Sequence, residues 1–105
     1  MPRSAALGKL AAAFAAAGAA RDWDRLGALA RALAPQLATL GERGAWTGGE
    51  LAALAQLRAA HDGAAAACAE AQAALAAQLA DMRNNKEGWM AYALTSDTEL
   101  AGHQE

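Results

Sequence analysis

Two spacings of apolar residues organise this chain, one of three and four residues and one of seven. The longest line is Leu54, His61, Cys68, Leu75 and Met82, each seven after the last, with Leu51, Leu57 and Leu79 beside it. A seven-residue repeat held this long draws one packed seam along a helix. The spacing predicts a long helix from Trp46 to Arg83, about 50 Å at 1.5 Å per residue. Its entrance is marked by Trp46-Thr47-Gly48-Gly49-Glu50-Leu51. Thr47 and Glu50 stand at capping-box spacing, and Trp46 and Leu51 occupy the two positions of a hydrophobic staple.

Upstream, Leu7, Leu10 and Phe14 fall at helical spacing after Ser4, which suits an N-cap. A second stripe follows, Trp23, Leu26, Ala30, Leu33, Leu37 and Leu40, with Asp22 as its cap and Asp24 in its positive first turn. Phe14 and Trp23, nine residues apart, would lie on opposite faces of a continuous helix. The stripe therefore changes phase between Gly18 and Asp22, which predicts a kink or short break, and a single bent helix fits as well. Pro35 should bend the last turns of the second helix. Gly41-Glu42-Arg43-Gly44-Ala45 reads as the loop before the long helix. That helix is expected to stop near Asn84-Asn85. The segment Asn84 to Leu94, which holds two of the five aromatics, would as a short C-terminal helix be apolar on most faces and must then dock on something. Residues 95–105 are polar and read as a terminal turn or mobile tail.

Composition narrows the fold further. Ala is about a third of the chain, Leu is next, and Val and Ile are absent. Ala and Leu favour helix, and strands want the residues missing here. At 105 residues the expectation is one all-α domain with a thin core. Net charge is −2 with signs interspersed, so no basic stripe points to nucleic acid and no polybasic run to an anionic membrane. The single cysteine fits a reducing cytoplasm. The first twenty residues imitate a signal peptide, with Arg3 and Lys9 ahead of an apolar run. That run is mostly Ala with large residues at helical spacing, so it reads as a structural first helix. No window has the roughly 20 strongly apolar residues of a membrane span.

Little here suggests catalysis. Ala60-His61-Asp62-Gly63-Ala64 resembles the phospho-accepting helix of histidine phosphotransfer domains, but Ala64 stands where that motif carries a Lys. His61 and Cys68 lie two turns apart without the third ligand a metal needs, and Cys68 has no cation one turn away to activate it. Gly48-Gly49 is not followed by the Lys-Ser/Thr of a phosphate loop. These residues imply no enzyme, no metal and no cofactor. By contrast, Arg58 and Gln72 interrupt the second seam line of Leu51, Ala65 and Leu79, and a polar residue in a seam can mark a face left for a partner. A groove floored by alanines between Leu54 and Cys68 would admit a partner helix.

Over most of its length the chain resembles the FliT-type chaperones of flagellar type III export. The resemblance is carried by small residues leading to Asp22-Trp23 and a Leu-rich helix within Leu10 to Leu40. After the long helix it is carried by Met82-Arg83, Lys86 and Ala91-Tyr92. Met90 replaces the Asn that precedes Ala-Tyr in that family. The resemblance implies a cytoplasmic module that shields a C-terminal helix of an export substrate, typically the filament-cap protein. By position it implies a partner surface at Leu54, Leu57, Arg58, His61 and Ala65. The regulatory segment folding over that surface would be Trp89, Met90, Tyr92 and Leu94.

The expected architecture is an antiparallel bundle of three helices, a kinked first pair and a long third, plus a short C-terminal helix. The expected function is chaperone-like binding of a partner helix, without nucleic acid or membrane insertion. Two other readings stay open: a phosphotransfer bundle using His61, and a structural homodimer whose groove is its own interface.

Overall fold

The computed structural model describes residues 2–103, and side chains for residues 2–95. It contains three helices, α1 (Arg3–Ala20), α2 (Trp23–Gly41) and α3 (Gly48–His103), and no strand among the described residues. The all-α expectation holds. The chain divides into two units, Met1–Glu70 and Ala71–Glu105.

Within the first unit, α1 begins one residue before the expected Ser4 cap. Pro2 is the N-cap, in extended conformation and without a side-chain cap bond, so the Ala-rich sequence carries this start by propensity alone. At its other end the helix closes in a Schellman motif. The Arg21 N–H donates to the Gly18 carbonyl at 3.2 Å and the Asp22 N–H to the Ala17 carbonyl at 3.0 Å. Arg21 holds the left-handed conformation there, with φ 54° and ψ 36°. Asp22 at once caps α2, its Oδ1 accepting from the Arg25 N–H at 3.2 Å. Two residues thus end one helix and start the next.

The break is a reversal of direction, where the sequence predicted a kink. The first turns of α1 (Ala6, Lys9, Leu10) line a groove with the last turns of α2 (Pro35, Gln36, Thr39). Phe14 shares a pocket with Trp23 and Leu26 at the start of α2. The two helices therefore run against each other, and α1 runs alongside the opening of α3 in the same direction. Arg3 meets Glu50, Phe14 meets His61, and Gly18 meets Ala64. The phase change at Gly18 to Asp22 was legible, but the left-handed Arg21 turns it into a hairpin.

The core is small. Leu7 and Phe14 are fully buried, joined by Ala17, Leu26, Leu40, Leu57 and Ala64. Around them pack Leu10, Trp23, Leu33, Leu37, Trp46, Leu54 and Cys68, each half-buried. Alanine at the contacts lets backbones approach: a Cβ on Gly18 would stand 3.3 Å from that of Ala64. A fully covered Leu or Phe contributes about 1.5–3 kcal/mol, so a few large side chains supply most of the hydrophobic stabilisation.

The second unit is helix throughout its described length. The expected stop near Asn84-Asn85, and with it a separate C-terminal helix, is absent: α3 continues without interruption to His103. Asn and Gly each weaken a helix by less than or about 1 kcal/mol relative to Ala, and no proline follows them. The Ala-rich turns on either side carry the helix across. The expected tail at 95–105 belongs to α3 as far as His103, and residues 104–105 lie outside the described residues.

Candidate functional site

The most elaborate polar arrangement in the chain surrounds Arg3, on the first turn of α1. Its guanidinium donates to both carboxylate oxygens of Glu50, Nε to Oε2 at 2.7 Å and Nη2 to Oε1 at 2.8 Å. It also donates to the carbonyls of Leu40 at 3.2 Å, Gly44 at 2.8 Å and Ala45 at 2.7 Å. Its plane lies 4.3 Å from the centre of the Trp46 ring. One planar fork thereby satisfies the end of α2, the α2–α3 loop and the start of α3.

Glu50 completes the capping box predicted for α3. Its Oε1 accepts from the Thr47 N–H at 2.9 Å, and its own N–H donates to Thr47 Oγ1 at 3.3 Å. The hydrogen bond from Arg3, followed by that from the Thr47 amide, lowers the Glu50 pKa from 4.5 to about 2. Trp46 is half-buried against the core with Arg3 on its face, whereas Leu51, its expected staple partner, is exposed. The contacts of Arg3 tie the first turn of α1 to the end of α2, the loop after it and the first turn of α3, which makes this cluster a clasp for the fold. Sequence spacing held no sign of Arg3, since Glu50 lies 47 residues away.

The residues expected to form a partner surface on α3 lie on one side of the helix at different depths. Leu57 is core, 3% exposed. Leu54 is half-buried against that core. His61 is half-exposed and sets its ring edge-on to Phe14 at 5.4 Å and 67°. Arg58 and Ala65 are exposed; Ala65 lines a pocket with Phe14, His61, Ala64 and Cys68, and the Arg58 Nε lies 3.9 Å from Asp62 Oδ2. The inner stripe is Ala53, Leu54, Leu57, Ala60, His61, Ala64 and Cys68. Leu54, His61 and Cys68 were on the predicted seam. Leu57 and Ala64 complete it, with exposed Ala65 at its rim beside His61 and Ala64, and Arg58 exposed.

His61 has Asp62 as its charged neighbour, Nδ1 to Oδ1 at 3.5 Å. The position where a phosphotransfer helix keeps its Lys is Ala64, buried under α1. Among the described residues no three His, Cys, Asp or Glu side chains gather as a metal site would require, and no helix is long and apolar enough to cross a membrane.

The second unit presents a different surface. Leu75, Leu79, Met82, Trp89, Met90, Tyr92 and Leu94 are all exposed, between 54% and 72%. Trp89 and Tyr92, one turn apart, meet edge to face with centroids 6.4 Å apart. The four residues expected to act as a covering segment are thus exposed side chains on α3 itself. Scattered apolar residues on a surface are ordinary; here large ones follow one another along a single helix. Comparison with known proteins adds no neighbour, since no protein-family model, curated protein or solved structure matches the chain.

Proposed function

We propose that the chain is a non-catalytic helical module that binds an apolar helix of a protein partner, as a cytoplasmic export chaperone of the FliT type does. The observation that carries this reading is the row of exposed large side chains from Leu75 to Tyr92. An amphipathic helix laid along that row would bury its own apolar face at positions three and four apart. The all-α fold, the Asp22-Trp23 step and the Lys86 to Tyr92 sequence are compatible with the same family reading. Under it, the client is the C-terminal helix of a flagellar export substrate, the filament-cap protein first among them. Leu54, Arg58, His61 and Ala65 offer a smaller and more polar contact on the first unit, with Leu57 supporting them from inside.

Calorimetric titration with C-terminal peptides of flagellar substrates tests the proposal. Micromolar binding that Trp89→Ala weakens about tenfold is the expected result, since a covered aromatic anchor contributes about 1–3 kcal/mol. Absence of heat with every such peptide, from a chain that remains helical, would remove the chaperone reading.

A further inference from the structure

Between Ala71 and Trp89 the large apolar residues follow a stricter rule than elsewhere. Leu75, Met82 and Trp89 are seven apart, Leu79 stands between the first two and Lys86 between the last two. Alternating steps of four and three draw a seam only two residues wide, the width one neighbouring helix covers. The flanking residues Ala76, Gln78, Arg83 and Asn85 are small or polar, and only in the last turn do Met90 and Tyr92 widen the seam. The opening half of α3, which meets two helices, buries a wider stripe with three positions per turn, as at Ala53, Leu54 and Leu57.

This narrow seam lies open, with Leu75, Leu79, Met82 and Trp89 each more than half exposed. It also runs through three residues that weaken helix, Asn84, Asn85 and Gly88. Helix at such positions depends on packing more than on propensity.

We propose that the seam is covered by the same seam of a second copy of this chain, forming a two-stranded coiled coil over residues 75–92. Area, charge and pattern select that occupant. Covering the seam residues with Met90 and Tyr92 at its edges would bury roughly 600–900 Å² per copy. Two copies together exceed the roughly 1,000 Å² expected of a specific interface. The charges of the segment are Asp81, Arg83, Lys86 and Glu87; they cancel, so one copy does not repel another. Lys86 is the one charged residue in the seam, a placement that sets register and strand number in coiled coils.

The second copy covers the row that a client helix would use, so dimerisation and client binding compete for it. A chain that dimerises and binds no substrate peptide loses only the chaperone reading, and a monomer that binds such a peptide loses only the dimer.

Sedimentation equilibrium of the full chain, across a range of concentrations, is the experiment. The expected species has twice the 10.6 kDa chain mass and dissociates on dilution. Leu79→Glu and, separately, Met82→Glu are expected to leave a monomer whose first unit still melts cooperatively. Ala80→Glu, one residue off the seam, is expected to leave the dimer intact. A monomer at every concentration would overturn the proposal, as would a dimer indifferent to both seam substitutions. A monomeric chain that loses peptide binding on Leu79→Glu would give the seam to a foreign helix and overturn it equally.

Discussion

Single residues at the helix ends decide much of this fold. Arg21 is the one described non-glycine residue with positive φ, in a conformation that costs an L-residue about 1–2 kcal/mol and glycine almost nothing. It is exposed, so Arg21→Gly is expected to raise stability by about 1 kcal/mol, read as a higher midpoint in urea. Glu50 makes a pH prediction. Its folded pKa of about 2 lies below its ordinary 4.5, so the unfolded chain binds the proton more readily. Its contribution is complete above about pH 4.5 and disappears as pH falls toward about 2. The melting temperature of the native chain should therefore exceed that of Glu50→Gln at neutral pH, and the two should converge in acid. The caps of Asp22 and Thr47 were legible because their partners lie three residues on. Arg3 was not, because its partners become neighbours only when three elements meet.

At the scale of elements, α3 shows how far composition outweighs local breakers. Asn84, Asn85 and Gly88 were expected to end it, yet the Ala-rich turns around them carry it on. Gly88 has open space where a Cβ would stand. Gly88→Ala should then strengthen the helix by about 1 kcal/mol, seen as greater helical circular dichroism and slower amide exchange between 84 and 92. Pro35 is likewise accommodated inside α2. The carbonyl of Pro35 accepts from the Thr39 hydroxyl at 3.0 Å, a local bond within the same turn. The heptad line of α3 is continuous in sequence, but its members have different fates. Leu54, His61 and Cys68 pack inward in the first unit, while Leu75 and Met82 are exposed in the second. Periodicity identifies which face is apolar; it does not supply the neighbour that covers it.

For the whole molecule, the core residues place stability in the first unit. Among the described residues, the buried hydrophobic ones lie between Leu7 and Ala64, and the half-buried ones around them end at Cys68. A chain truncated after Glu70 should therefore fold and unfold cooperatively, its melting temperature within about 5 °C of the full chain. A truncated chain that stays unfolded would show that residues beyond 70 hold the core together.

What the sequence determined alone was local or compositional. It set the all-helical character through the abundance of Ala and Leu and the lack of Val and Ile, the caps at Asp22 and Thr47, and the stripe on each helix. Each rests on interactions within a turn or two, where spacing along the chain and distance in space are nearly the same thing. The tertiary structure alone decided that α1 and α2 double back, that α1 runs alongside α3, that Arg3 clasps Glu50, and that Leu57 belongs to the core while Arg58 does not. Those outcomes depend on groups up to 47 residues apart, which become neighbours only after a left-handed Arg21 has turned the chain around.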